Sequence, residues 1–185
     1  MLTAAELWTQ SRAELQQVLQ DGHPIDPQAL DDTTYRGVSL GLGRVIERLT
    51  WKTFEKVFHR DPETGQLRGW NTRLEQTGLD GPVRHRHRRG RPWTFGHYRV
   101  CAISTVSPPR PCGPGLIVDY SDAGNRRWDP IGCLRDPIVA VNAGQHNLLL
   151  GWSYLRIGAW RIGTPSFFTL ELQGPLSESV DPPRP

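Results

Sequence analysis

The sequence contains no uninterrupted apolar run that approaches the roughly 18 residues of a membrane-spanning helix. Its first residues include an acidic side chain, Glu6, and they lack the long apolar core of a secretory signal. These two absences predict a cytoplasmic protein without a membrane span.

Cysteine is scarce, and the three cysteines, Cys101, Cys112 and Cys133, form no closely spaced pair. An odd number without such a pair argues against a disulfide framework and against a structural zinc site. Reduced thiols are the simplest state in a cytoplasm. We predict no metal site and no other cofactor.

Tryptophan, by contrast, is abundant, with seven among 185 residues, although the hydrophobic fraction is only 37%. Large aromatic side chains supply bulky core contacts or the walls of ligand sites. A chain of this length buries roughly 70% of its unfolded surface, so one domain without covalent staples is sufficient. The net charge of +3 is too small to indicate nucleic-acid binding by itself.

The N-terminal part has helical periodicity. Thr3 and Glu6 form a capping box in front of apolar residues at helical spacing, which predicts a helix over residues 4–20. A second helix is predicted over 42–50, after a short extended piece at 35–40. This helical section reaches to about residue 50.

Beyond residue 50 the pattern changes to short strands separated by turns. Seven strands are predicted, over residues 52–60, 67–76, 92–103, 115–121, 137–142, 146–158 and 166–172. The connections are too short for helical crossovers, so the pairing is expected to be antiparallel. We predict a mainly β fold, in which an antiparallel barrel of about seven or more strands forms one domain over 1–173, followed by a loose tail over 174–185.

A series of short motifs runs through the predicted strands. It consists of Leu49-Thr50-Trp51-Lys52-Thr53-Phe54, Gly69-Trp70-Asn71, Leu116-Ile117-Val118-Asp119-Tyr120-Ser121, Leu134-Arg135-Asp136, Leu149-Leu150-Gly151-Trp152-Ser153-Tyr154 and Ser166-Phe167-Phe168. Their order resembles that of calycin-like, lipocalin-like bacterial proteins over residues 49–172. The resemblance implies a barrel whose interior holds a small, largely apolar molecule.

Asp119 and Tyr120 end a strand that is otherwise apolar, and Arg135 follows in the next predicted strand region. A buried carboxylate requires a charged or hydrogen-bonding partner, and Arg135 can supply a bidentate one. The pattern is compatible with a structural ion pair that joins two strands. This structural interpretation is the favoured one; the alternative is a charged pair at the mouth of a pocket, where Tyr120 can donate a proton or a hydrogen bond.

The strand at 92–103 places Trp93, Phe95 and His97 on one face if its alternation is regular, and Tyr98 on the other. If that face lines the barrel, His97 is the first candidate for acid–base chemistry. The other possibility is a partly shielded aromatic strip on the outside. In the strand at 146–158, Trp152 and Tyr154 share a face that resembles either a pocket wall or ordinary core in which Tyr154 reaches the surface.

The most conspicuous charge feature is the run Arg84-His85-Arg86-His87-Arg88-Arg89-Gly90-Arg91. It lies between two predicted strands, so a loop or hairpin tip is expected. Such a cluster attracts anionic groups without sequence preference, but no known nucleic-acid module surrounds it.

These features leave three functional hypotheses. The first is binding of a small hydrophobic or aromatic ligand inside the barrel, with Trp93, Phe95, Arg135, Trp152 and Tyr154 as candidate contacts. The second is an isomerase or cyclase acting on a hydrophobic metabolite, with His97, Asp119 and Tyr120 as candidate catalytic residues. The third is binding of an anionic partner by the basic run 84–91. The sequence leaves turnover, oligomeric state and ligand identity open.

Overall fold

The computed structural model describes residues 1–40, 52–79, 81–126 and 128–182. The helix predicted over 42–50 lies outside the described residues. Neither of the α-helices within them combines the length and the apolar character that a membrane crossing requires.

The N-terminal helical region consists of two helices, α1 (Ala4–Thr9) and α2 (Arg12–Asp21), where the periodicity predicted one. The prediction of a continuous helix over 4–20 was wrong because Ser11 and Glu14 form a second capping box. The Ser11 hydroxyl accepts from the N–H of Glu14, and the Glu14 carboxylate accepts from the N–H of Ser11. A capping box starts a new helix, so the chain changes direction at residues 10 and 11.

Eight strands form the closed antiparallel barrel that the sequence predicted. They are β1 (Thr33–Leu40), β2 (Thr53–Arg60), β3 (Leu67–Arg73), β6 (Thr94–Ala102), β7 (Leu116–Asp119), β8 (Leu134–Ala140), β9 (Leu148–Ile157) and β10 (Trp160–Pro175). Around the barrel the order is β1-β10-β9-β8-β7-β6-β3-β2, and β2 pairs with β1 to close it. Closure leaves none of these strands with an unpaired edge.

A separate two-stranded hairpin, β4 (His87–Arg88) and β5 (Arg91–Pro92), lies in the connection between β3 and β6. Its two turn residues, Arg89 and Gly90, both have positive φ, as expected of the tight turns that fit the twist of a hairpin. The basic run therefore forms a hairpin tip, as the sequence predicted.

Helices α1 and α2 cover the outside of the barrel wall formed by β1, β8, β9 and β10. A cluster of buried apolar side chains fills this layer; its members include Leu7, Leu15, Leu19, Val38, Val139, Leu150, Trp152, Tyr154 and Phe167. The indole N–H of Trp8 donates to the hydroxyl of Thr169 at 3.1 Å, which fixes α1 on β10.

A second buried cluster lies inside the barrel. It includes Tyr35, Phe58, Tyr98, Val118, Ile138, Leu149 and Leu170, and it is completed by Ile25 and Leu30 from the segment before β1. Leu30 belongs to the 3₁₀ helix Pro27–Leu30 that leads into β1. The barrel is therefore filled with apolar side chains at the end where β1 begins.

The last strand, β10, extends from Trp160 to Pro175, well beyond the 166–172 predicted from the sequence. The segment after it keeps contacts with the barrel: the N–H of Leu176 donates to the carbonyl of Asp32, and Arg68 donates to the carbonyl of Val180. These contacts place part of the predicted tail against the barrel wall.

Candidate functional site

A cavity of about 240 Å³ lies inside the barrel, toward the end where β1, β3 and β9 finish. Its apolar walls come from three phenylalanines, Phe54, Phe95 and Phe168, together with Ile131 and Leu134. Its polar lining consists of Ser39, Lys56, Asn71, Tyr120, Asp136, Ser153 and Ser166. The cavity thus combines a partly aromatic apolar wall with seven polar side chains, two of which are ionisable as cation and anion.

Two of the phenylalanine rings contact glycine residues of the neighbouring strand with the far end of the ring. Gly37 pairs with Phe54 and Gly151 pairs with Phe168, and a β-carbon at either glycine would come within 2.4 Å of the opposite ring. The glycines therefore let both rings fold back onto the barrel wall. This packing keeps the centre of the chamber open.

Three ionisable side chains form a hydrogen-bonded chain at the cavity wall. The Nζ of Lys56 donates to the hydroxyl of Tyr120 at 2.8 Å, and that hydroxyl donates to Oδ2 of Asp136 at 2.9 Å. The Lys56 Nζ is 3.9 Å from the same carboxylate oxygen. Lys56 and Asp136 are only 1% and 3% exposed, so this is a fully buried ion pair bridged by a phenol.

Burial dominates the electrostatics of this cluster. It lowers the pKa of Lys56 from 10.5 to about 8, and the nearby carboxylate of Asp136 opposes part of that shift. Burial likewise raises the pKa of Asp136, against the stabilising charge of Lys56. The pKa of the Tyr120 phenol is raised well above its ordinary value by burial and then by Asp136. Each group is thus displaced toward its uncharged form.

Three aromatic rings also lie close to the Lys56 ammonium. Its Nζ is 4.4 Å from the ring centroid of Tyr98, 5.2 Å from that of Tyr120 and 5.5 Å from that of Phe168. These contacts are cation–π interactions, which partly compensate for lost hydration. Among the described residues, Tyr120 is the hydrogen-bond acceptor that Nζ reaches.

Asn125 holds Tyr120 in position. Its side-chain amide donates to the carbonyl of Tyr120 at 2.8 Å and to that of His97 at 2.6 Å, and its side-chain oxygen accepts from the N–H of His97. Asn125 thereby joins the end of β7 to the start of β6.

The structure places Tyr120 and Phe95 in the cavity lining, but it places Asp119 and Arg135 elsewhere. Asp119 and Arg135 are directly opposite on β7 and β8, with 3.0 Å between Nε and Oδ1. Arg135 Nε has no hydrogen-bond partner among the described residues, so this contact is an ion pair. The predicted ion pair is confirmed; it lies on the face of the wall opposite Tyr120 and Asp136.

His97 lies outside the barrel wall, contrary to the alternative that places it with Phe95 in the interior. Gly96 has a φ of +55°, and Trp70 alone stands opposite Gly96 and His97, which is the geometry of a β-bulge. The bulge reverses the alternation, so Tyr98 points inward, where its hydroxyl donates to the carbonyl of Val57. The His97 ring packs 6.2 Å from that of Trp70.

Burial, with a smaller contribution from Arg68, lowers the pKa of His97 to about 4. Within the described part of the chain its Nδ1 meets no hydrogen-bond partner. His97 is therefore a neutral, packed histidine at neutral pH and is separated from the cavity.

Trp152 and Tyr154 also lie outside the barrel, in the layer beneath the helices. Ser153 lines the cavity and Gly151 faces Phe168, so the residues between them must point to the other side of β9. The pocket-wall alternative for this pair was wrong. Both residues belong to the core, but Tyr154 is buried and does not reach the surface as expected.

Trp93 belongs to the arginine-rich surface beside the β4–β5 hairpin. The guanidinium of Arg73 lies 3.6 Å from its ring centroid, and those of Arg88 and Arg86 lie at 5.2 and 5.7 Å. This hairpin arises from the connection between β3 and β6, and the cavity is at the same end of both strands. The basic surface therefore lies at the cavity end of the barrel.

Sequence reasoning overlooked Lys56 and Asp136, the two charged members of the buried cluster. One signal was present: of the 22 Lys and Arg residues, only Lys52 and Lys56 are lysines. Lys56 also alternates with Phe54 and Phe58 along β2, which marks the inward face. Lysine responds to burial by changing its pKa, whereas arginine stays charged, so the two residues are not equivalent at such a position.

The described ranges contain no group of three or more His, Cys, Asp or Glu side chains that are arranged to hold a metal ion. Among known proteins, no family model, no curated protein and no solved structure matches the chain.

Proposed function

We propose that the protein binds a small, largely apolar molecule in the barrel cavity, with the Lys56–Tyr120–Asp136 cluster contacting one polar group of that molecule. The observation that carries the proposal is the combination of aromatic walls and a buried, hydrogen-bonded cluster of ionisable side chains in one cavity. A site of this kind takes up an apolar body and fixes its orientation through a few hydrogen bonds.

The cavity volume limits the size of the ligand. Drug-sized ligands occupy pockets of about 300–1,000 Å³, whereas a dry cavity of about 150 Å³ accepts benzene. The volume of about 240 Å³ lies between these values and fits a single ring with one or two small substituents.

The charge of the cavity favours an uncharged ligand. The described lining contains one cation, Lys56, and one anion, Asp136, within 3.9 Å of each other. A carboxylate ligand would approach Asp136 in a dry interior, where like charges repel strongly and no water screens them. A neutral hydroxyl or carbonyl group avoids that repulsion and can still accept a hydrogen bond from Lys56.

Native mass spectrometry of the freshly purified protein, followed by denaturation and identification of released small molecules, tests the proposal. The complementary test is saturation-transfer NMR with benzyl alcohol as a probe of one ring and one hydroxyl. Ser166→Phe, which fills the cavity, is expected to abolish probe binding, while Ser177→Phe on the exposed C-terminal segment leaves it unchanged. Equal probe binding by both variants would contradict a site inside the barrel.

A second candidate is an enzyme of the isomerase or cyclase type that uses the same cavity. The specific support for it is the hydrogen-bonded chain from Lys56 through Tyr120 to Asp136, which can move a proton to or from a bound molecule. Of the three catalytic residues predicted from the sequence, His97 and Asp119 lie away from the cavity. Tyr120 lines it and stays a candidate for this role. Loss of turnover in Tyr120→Phe, with benzyl alcohol binding retained, would favour it.

A third candidate is binding of an anionic partner by the arginine-rich hairpin. The support is the stacking of Arg73, Arg86 and Arg88 around Trp93, which concentrates positive charge on one exposed surface. Binding to heparin that weakens steeply with salt, and that is lost in the double variant Arg86→Gln and Arg88→Gln, would support this role.

A further inference from the structure

We propose that Lys56 is a nucleophilic amine and that the cavity binds small aldehydes or ketones, which Lys56 captures reversibly as an imine. The inference rests on the proposed binding of a neutral ligand in the barrel, and it names the chemical class of that ligand. The observations behind it are the position, surroundings and hydrogen bonds of the Lys56 Nζ.

The first observation is the unused donor capacity of Lys56. An ammonium group carries three N–H donors, and in the described structure Nζ makes one hydrogen bond, to Tyr120. Its other neighbours are the Asp136 carboxylate, with which it forms an ion pair at 3.9 Å, and three aromatic ring faces, those of Tyr98, Tyr120 and Phe168. A buried ammonium with one hydrogen bond lacks partners, and the oxygen of a ligand in the cavity can supply one.

The second observation is that the atoms around Nζ fit the steps of imine formation. The neutral amine attacks the carbonyl carbon, a C–N bond forms, and the carbonyl oxygen takes up a proton. The Tyr120 hydroxyl, 2.8 Å from Nζ, can pass that proton from nitrogen to oxygen. Water then leaves, and the overall change is one amine and one carbonyl converted to one imine and one water, with no oxidant or reductant.

The third observation concerns charge. The imine of a buried lysine is stabilised as its protonated iminium form if an anion is nearby. Asp136 is 3.9 Å from Nζ and linked to it through Tyr120, so it provides the counter-ion before and after the reaction. The net charge of the buried cluster does not change when the ammonium becomes an iminium.

Burial also provides reactive amine at neutral pH, because the pKa of Lys56 is lowered to about 8. At pH 7.5, an ordinary lysine with a pKa near 10.4 has on the order of a hundredfold less neutral amine than such a group. The sequence contains two lysines, Lys52 and Lys56, so these side chains and the N-terminus are the only amines of the chain that an aldehyde can label as imines.

The experiment is reductive trapping of the full chain with benzaldehyde and sodium cyanoborohydride at pH 7.5, followed by peptide mapping by mass spectrometry. We expect a benzyl adduct on Lys56 that exceeds the adduct on Lys52 by about tenfold, because the cavity holds the aldehyde beside the Lys56 amine. Lys52→Arg is expected to keep the Lys56 adduct and Lys56→Arg to lose it. Benzyl alcohol, which fits the cavity but forms no imine, is expected to slow the trapping.

Two outcomes separate this inference from the proposed function. If benzyl alcohol binds but benzaldehyde labels only Lys52 and the N-terminus, the imine is overturned and the binding pocket stands. If neither compound binds and the labelling matches that of urea-unfolded protein, both fail. Because the adduct is mapped on the unmodified sequence, the result does not depend on whether a Lys56 variant folds.

Discussion

Replacing the buried cluster by apolar residues should change how stability depends on pH. The perturbation is the triple variant Lys56→Met, Tyr120→Phe and Asp136→Leu, which removes both charges and the phenol that bridges them. All three must be changed together, because each of the single changes leaves a buried polar partner unsatisfied. Lys56→Met alone leaves Asp136 without its cation, for which about 3–5 kcal/mol of destabilisation is expected.

The magnitude follows from the pKa of Lys56, which is lowered from 10.5 to about 8 in the folded chain. One pH unit of difference between folded and unfolded pKa values corresponds to about 1.4 kcal/mol, so protonated Lys56 reduces stability by about 3 kcal/mol below pH 8. Between the two pKa values the unfolded chain binds the extra proton, so stability rises with pH. From pH 7.5 to 9.5 this rise amounts to about 2 kcal/mol.

The assay is urea unfolding of the wild-type chain and the triple variant at pH 7.5, 8.5 and 9.5, monitored by tryptophan fluorescence. The Cys112 thiol also contributes, because its pKa of 9.0 is raised to about 11 by burial and it therefore titrates in this window in the unfolded chain; it is common to both proteins and cancels in the difference. At pH 7.5 the free energy of unfolding of the variant should equal that of the wild type or exceed it by up to about 4 kcal/mol. The difference between the two proteins should then decrease by about 2 kcal/mol toward pH 9.5.

Parallel pH curves for the two proteins would refute the reasoning, because they would mean that the Lys56 amine keeps an ordinary pKa in the folded chain. A triple variant several kcal/mol less stable than the wild type at every pH would also refute it. That result would show that the ion pair stabilises the fold by more than its burial costs.

Three further predictions concern the β6 bulge, the N-terminal cap of α2 and the buried imidazole of His97. Gly96→Ala should lower the free energy of unfolding by at least about 1–2 kcal/mol, because alanine disfavours the φ of +55° at the bulge; unchanged urea unfolding would mean that the bulge is absent. Ser11→Ala should cost about 1 kcal/mol through loss of the α2 cap, whereas Ser177→Ala on the exposed segment should cost nothing measurable in the same assay. As the pH is lowered from 6.5 to 4, the free energy of unfolding should fall by up to about 3 kcal/mol, because His97 is protonated at a higher pH in the unfolded chain than in the folded one. His97→Gln should remove this contribution. Identical acid unfolding of the variant and the wild type would contradict a neutral buried imidazole.

The barrel could be predicted from the sequence because its signals are local. Alternating side chains, turn residues and short connections give the strands and their antiparallel pairing, and these remain visible without tertiary contacts. The N-terminal region was predicted less well. The periodicity of apolar residues continues across Ser11, and the capping box formed with Glu14 outweighs it locally.

The inward and outward faces of the strands were harder to predict, because alternation gives two faces without saying which is inside. In β9 the glycine at 151 marks the inward face, where the Phe168 ring needs its space, and this orientation sends Trp152 outward. In β6 the glycine at 96 is the site of the bulge that separates Phe95 from His97. A glycine inside a strand is a signal of both situations, a close approach or a bulge, and the sequence alone does not distinguish them.

The energetics of the buried cluster give an independent reason to connect it with function. A domain has about 5–15 kcal/mol of net stability, and burying a protonated Lys56 costs about 3 kcal/mol of it at neutral pH. Apolar residues at the same positions would fill the barrel without that cost, so packing does not account for a lysine, a phenol and a carboxylate there. Departures from well-packed, satisfied interiors are expected at functional sites, where binding or chemistry requires the unfavourable group.

The destabilising group, Lys56, lies beside an aromatic cavity, where a ligand oxygen can supply the hydrogen bond that Lys56 lacks. The same interaction that binds the ligand would then recover part of the stability, so a ligand that engages Lys56 should raise the unfolding temperature more than an apolar ligand of equal size.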